Sequence, residues 1–266
     1  MNQLKQTKVI ITGASSGIGE ATAYLLAKEN ANLMLVARSY ERLQKVASNI
    51  KELYPDAPTP LIWSCDITSD AEVEQMKETF RMILGCPDVL INNAGSGVYG
   101  STLLTSLDDF KQVMEVNYFG PLRCIKAFLP LMRACNKGQI INISSTAAHN
   151  GIPYLGAYSA SKAALATLNQ ALRAELYNSD IKISIIYPGY TNTGFFAKEK
   201  KLGDAVRPTD NYMPVEKVAS AILRMVRKGE GDQTLSLDGR MLLFLKEFFP
   251  GILQNRLRRM AQQLSI

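Results

Sequence analysis

Apolar runs that do not alternate set the first limit on this fold. Residues TKVIIT (7–12), NLMLVA (32–37), PLIWSCD (60–66), DVLINNA (88–94), GQIINIS (138–144) and IKISIIYP (181–188) are short and nearly continuous in hydrophobic character, and QTLSLD (233–238) is a weaker seventh. A strand with one wet face alternates apolar and polar residues. A strand that is apolar at successive positions is covered on both faces. Helix-like stretches separate the runs: about 17–30, then YERLQKVASNIKEL, then DAEVEQMKETFRMIL, a long stretch through 107–133, and the one holding Tyr158 and Lys162. Repeated strand–helix units predict an α/β fold, a doubly wound parallel sheet of about seven strands with helices on both faces. No Pro/Gly/Ser-rich linker divides the chain, so residues 1–240 are expected to form one domain and 241–266 a C-terminal helical extension.

Several function classes are disfavoured at this point. The chain lacks a stretch of about 18 uncharged apolar residues, so no membrane span is expected. MNQLKQTKVIITG enters a strand-like run at once, without a signal-peptide core, and a cytoplasmic protein is expected. Cys65, Cys86, Cys124 and Cys135 show no C-x-x-C spacing; four reduced thiols and no metal site are the expectation. The net charge of +6 suits an anionic partner, but no helix-turn-helix, zinc finger or aromatic–basic platform points to nucleic acid.

In open parallel sheets, ligands bind beyond the carboxyl ends of the strands. After the first run comes TGASSGIGE, with Gly13, Gly17 and Gly19. Glycines there let the backbone turn sharply and approach a pyrophosphate seated on a helix N-terminus. After the second run comes Arg38-Ser39, with Ala37 where an acid would hold the ribose hydroxyls of NAD. A guanidinium at that tip suits a 2′-phosphate. Asp66 ends the third run, placed either to meet an adenine amino group or to cap the following helix. Asn93, Ala94 and Gly95 form a small-residue turn after the fourth. Ser144 and Ser145 follow the fifth, then Tyr158 and Lys162, and PGYTNTG follows the sixth.

Together TGASSGIG, NNAG, NISS, YSASK and PGYTNT resemble the short-chain dehydrogenase/reductase family over nearly the whole chain, with LMLVARS and the apolar tail closer to its hydroxysteroid-dehydrogenase-like branch. The resemblance implies a Rossmann fold, an NADP(H) cofactor and hydride transfer between nicotinamide and a carbonyl or alcohol substrate. It implies a catalytic tetrad of Asn117, Ser145, Tyr158 and Lys162. It also implies cofactor contacts from Gly13, Ser15, Ser16, Gly17, Ile18, Gly19, Arg38, Ser39, Asp66, Ile67, Asn93, Ala94, Gly95, Tyr158, Lys162, Pro188, Gly189, Thr191 and Thr193. A homodimer or homotetramer is implied too, with the 107–133 stretch and the Tyr158 helix as its interface. A non-catalytic cofactor-binding sensor or membrane-surface scaffold is the rival reading.

Residues i and i+4 share a helix face, so Lys162 can reach Tyr158. A phenol with a pKa near ~10 exchanges protons poorly at neutral pH, and a nearby cation favours its phenolate. His149, the only histidine, reads as a non-catalytic loop residue near the substrate. Tyr99, Tyr154, Tyr190, Phe195 and Phe196 are candidates to line an apolar pocket. In the tail, Leu253, Leu257, Met260 and Leu264 recur at helical spacing among Arg256, Arg258 and Arg259. They suit packing on protein or a peripheral contact with anionic lipid.

Overall fold

A computed structural model describes residues 4–193, 200–203, 212–229 and 231–264. The chain runs β1 (Lys8–Thr12), α1 (Gly17–Lys28), β2 (Asn32–Ala37), α2 (Tyr40–Leu53), β3 (Leu61–Ser64), α3 (Asp70–Leu84) and β4 (Val89–Asn92). Then come β5 (Val98–Tyr99), α4 (Leu107–Met114), a π-helical turn (Glu115–Phe119), α5 (Gly120–Ala134), β6 (Gly138–Ile143), a 3₁₀ turn (Thr146–Ala148), α6 (Gly156–Glu175) and β7 (Ile181–Tyr187). The last elements are β8 (Lys200–Lys201), α7 (Val215–Lys228), β9 (Gln233–Thr234), α8 (Leu237–Phe248) and α9 (Pro250–Leu264).

Seven strands form one parallel sheet in the order β3-β2-β1-β4-β6-β7-β9. The register explains the unbroken apolar runs. Ile10 pairs with Met34 and with Leu90, and all three face one apolar layer with Phe80, Ile125 and Phe128 of α3 and α5. The next residues along, Ile11, Leu35 and Ile91, face the other layer with Leu26, Leu43 and Ile222 of α1, α2 and α7. Successive positions on these central strands therefore meet helices on opposite faces. Phe80 and Phe128 meet edge to face at 5.8 Å in the first layer.

Three expectations need correction. The run 233–238 is a strand only over Gln233–Thr234, because Ser236 caps a helix that starts at Leu237. Val215–Lys228 is an unanticipated helix, and β5 and β8 form a separate two-stranded parallel sheet. The expectation of four reduced thiols fails at Cys86 and Cys135, which are joined as a disulfide, while Cys65 and Cys124 are free and buried. Cys86 directly follows Gly85, the C-cap of α3, and Cys135 is the C-cap of α5. The two helices pack side by side and bring these Cα atoms to 6.6 Å.

Candidate active site

A cavity of about 450 Å³ runs along the carboxyl edge of the sheet, from the ends of β2 and β3 to the ends of β6 and β7. Its floor begins at the glycine turn. Gly13 and Gly17 sit at φ +67° and +59°, a left-handed region that side chains disfavour. Ser39, Ser69, Ser106 and Ser236 each cap their helix by accepting a backbone N–H. Ser16, at the start of α1, makes no such bond. The first-turn donors of α1 thus carry no side-chain cap, and Ser15, Ser16, Gly17 and Ile18 line the cavity. A pyrophosphate fits that cradle.

Gly19 is not on the cavity wall. A Cβ there would lie 2.4 Å from the Gly13 carbonyl oxygen and 2.6 Å from Asn93 Nδ2, so its job is close packing. Asn93 Nδ2 donates to the carbonyls of Thr12 (3.0 Å) and Gly13 (3.2 Å), and Thr12 Oγ1 accepts from the backbone of Asn93 and Ala94. The two turns are therefore one unit. Gly19→Ala should destabilise the fold by about 1–3 kcal/mol, the usual penalty for overpacking. An unchanged urea midpoint would show that the two turns can separate.

At the far end of the cavity Arg38 and Ser39 line the wall, joined by Arg42, which the sequence reading did not single out. Both arginines are exposed. Arg42 lies in the first turn of α2, and its backbone N–H is the donor that Ser39 accepts. The signal for Arg42 was its place three residues past Ser39, in the first turn of the helix that this serine caps. Asp66 is on the wall with Ile67, and it does not cap α3. Its carboxylate accepts from the Thr68 backbone (3.0 Å) and hydroxyl (2.8 Å), while Ser69 is the cap. Ala94 and Gly95 line the middle of the cavity.

Ser145, Tyr158 and Lys162 meet at the other end, beside Pro188, Gly189, Thr191 and Thr193. The Lys162 ammonium is 5.9 Å from the centre of the Tyr158 ring and donates to the Ile143 carbonyl at 2.9 Å. The residue is only 4% exposed, and burial pushes its pKa down to about 8. Ser145 Oγ accepts from the Ala147 backbone at 3.2 Å, which fixes the serine at the head of the 3₁₀ turn. Thr193 reaches back to the glycine turn, where a Cβ on Gly17 would lie 3.1 Å from it.

Asn117 does not touch the cavity. It is fully buried inside the π-helical turn, a kind of helix defect that favours functional sites. Its Oδ1 accepts from the Ser96 backbone (2.8 Å), and its Nδ2 donates to the Ser96 carbonyl (2.8 Å) and to Ser161 Oγ (2.9 Å). Ser161 in turn donates to the Tyr158 carbonyl at 2.8 Å. Asn117 thus braces the turn of α6 that carries Tyr158 and Lys162, and Ser161 is the link that the sequence reading passed over inside YSASK.

The remaining candidates divide. Tyr99 is buried against Tyr154 at 6.1 Å, and neither lines the cavity. Val98, Gln112, Val113, Val116 and Lys200 do, with Lys200 paired to Asp109 at 2.8 and 2.9 Å. Phe195 and Phe196 lie outside the described residues. His149 also faces away from the cavity: its ring stacks on Tyr187 at 4.3 Å, and Nε2 is 3.1 Å from Thr234 Oγ1. Burial, then the Lys246 charge, pushes its pKa down from 6.5 to about 4. Between those values the unfolded chain holds a proton that the folded chain does not. This contribution to stability is full above pH 6.5 and is lost as the pH falls toward 4. His149→Gln should therefore show a smaller drop in melting temperature than wild type over that window; parallel curves would remove the histidine from the acid response.

Residues 7–202 match the family model described as short chain dehydrogenase. The dehydrogenase/reductase SDR family protein 7-like of Anopheles gambiae is 33% identical over 265 residues, covering 97% of this chain and 84% of that protein. The 3-ketodihydrosphingosine reductase of Bacteroides thetaiotaomicron is 38% identical over 187 residues, covering 70% of this chain and 65% of that protein. Among solved structures, the alcohol dehydrogenase of the archaeon Thermococcus sibiricus complexed with 5-hydroxy-NADP matches with a TM-score of 0.77 at 28% identity. That match covers 87% of this chain and 96% of that one.

Proposed function

The chain belongs to the short-chain dehydrogenase family, and from that premise we propose that it is an NADP(H)-dependent oxidoreductase interconverting an apolar carbonyl compound and its alcohol. The observation that carries this reading is the meeting of Ser145, Tyr158 and buried Lys162 at one end of a cavity whose other end holds Arg38 and Arg42.

A nicotinamide cofactor, when bound, would supply hydride to the substrate carbon or accept it. The chain's own residues manage the oxygen. In reduction the Tyr158 hydroxyl gives its proton to the developing alkoxide; in oxidation its phenolate takes the proton back. Ser145 donates a hydrogen bond to the same oxygen and stabilises the charge that grows there. The Lys162 cation favours the Tyr158 phenolate and would hold the nicotinamide ribose. Asn117 positions this turn of α6 through Ser161. The substrate lies against Val98, Val113 and Val116, whose apolar walls suit an apolar compound. The relative named for a 3-ketodihydrosphingosine substrate supports the same direction.

The 2′-phosphate of NADP is assigned to Arg38 and Arg42, with Ala37 in place of an acid. Asp66, the one carboxylate among the described cavity residues, falls to the adenine. Exposed Leu107 and Phe119 on the α4–α5 surface support a homodimer or homotetramer. The test of the reading is a panel of ketones, aldehydes, sterols and 3-oxoacyl compounds incubated with NADPH, with cofactor oxidation followed. Cofactor binding with no turnover of any panel member would favour a sensor instead.

A further inference from the structure

The hairpin of α8 and α9 holds one apolar face out to solvent. Leu237, Met241, Phe244 and Phe248 recur at i, i+4, i+7 and i+11, which places them on one stripe of α8. They are 82%, 49%, 50% and 64% exposed, and Phe249 and Ile252 continue the stripe around the turn. The Phe244 ring lies 5.1 Å from Phe248 and 5.8 Å from Phe249, so the aromatics form one cluster. This is not the stripe that the sequence suggested. Leu253 is buried and Leu257 and Met260 are half-buried where α9 folds back on α8; the side chain of Leu264 lies outside the described residues.

The other flank of α8 is fixed to the body of the protein. Gly239 packs on Thr146, and Lys246 Nζ donates to the His149 carbonyl at 2.6 Å. The outward face is therefore held in place on a rigid support. The hairpin is basic. Besides Lys246, which is turned to the body, it carries Arg240, Arg256, Arg258 and Arg259 against Asp238 and Glu247. Beside the first turn of α8 a cleft of about 400 Å³ carries Lys217, Arg224 and Arg240, and its acid, Asp232, is already paired with Arg173.

We propose that this face docks the protein on an anionic lipid bilayer. The aromatic stripe enters the interface, the flanking arginines meet the headgroups, and the basic cleft receives one of them. Two copies meeting through this face would press like charges together, whereas anionic headgroups neutralise them. No helix among the described residues is long and apolar enough to cross a membrane, so the contact is peripheral. The proposal does not depend on the reaction assigned above.

Flotation of the full chain tests it, using vesicles of phosphatidylcholine alone and vesicles with about a third phosphatidylserine. Wild type should float with the anionic vesicles at low salt, not with the neutral ones, and lose binding as salt screens the charges. Each cation at the surface strengthens binding about fivefold, so R256Q/R258Q/R259Q should weaken it about a hundredfold. F244E/F248E should abolish it with oligomer size and melting temperature unchanged. Absence of flotation on anionic vesicles, equal flotation on neutral ones, or binding that survives both variants would overturn the proposal. A wild type that does not float, with F244E/F248E shifting oligomer size, would assign the face to a second copy.

Discussion

Tyr158→Phe should lower kcat by about 10²–10⁴-fold, the usual contribution of a positioned general acid, and leave NADPH binding within a few-fold of wild type. The substitution removes one hydroxyl and keeps the ring. Anchors of this part of α6 lie on other atoms: Ser161 donates to the Tyr158 carbonyl, and Lys162 holds the Ile143 carbonyl. Those two bonds survive the substitution, and the loss should fall on the chemical step. Single-turnover rates with bound NADPH separate this from slow product release. A variant that keeps more than a tenth of wild-type kcat would remove Tyr158 from the role of proton donor.

Removing the guanidinium pair should have the second largest effect, on cofactor choice. Arg38, just before the Ser39 cap, and Arg42, in the first turn of α2, line the cavity end where Ala37 leaves no acid for ribose hydroxyls. A hydrogen bond to a charged group contributes about 1.5–3 kcal/mol, or roughly tenfold to a hundredfold in affinity. Wild type should thus show a clear preference for NADPH in kcat/KM. R38A/R42A should erase most of it by weakening NADPH and leaving NADH nearly unchanged, and Arg38→Asp should tilt the ratio toward NADH. Equal kcat/KM with the two cofactors in wild type would refute the assignment.

Much of this fold is legible along the chain because its strands are covered on both faces. Ile10 and Ile11 face opposite helical layers, so the run in which they sit has no polar gap to blur it. The cavity was legible for a related reason: a parallel sheet gathers its strand ends on one edge, and Gly13, Arg38, Asp66, Ala94, Ser145 and Pro188 all follow strands. What escaped has no local period. The β5–β8 pair is two residues long on each side. The Cys86–Cys135 bond joins positions 49 apart and depends on α3 and α5 ending together. In the tail, the stripe of α9 looks as amphipathic as that of α8. Only the way the two helices fold on each other decides which of them is covered.

The π-helical turn at Glu115–Phe119 can be seen as a change of phase. One extra residue is taken up within a single wide turn, so α4 and α5 keep a shared axis and lose their shared numbering of faces. Val113 can then look into the cavity while Ile125 and Phe128 look into the sheet. Shortening this segment by one residue would restore an unbroken α-helix. The wide turn that aims the Asn117 amide at both Ser96 and Ser161 would be lost with it. A length that a helix alone would never require is kept so that two surfaces can be addressed from a single rod.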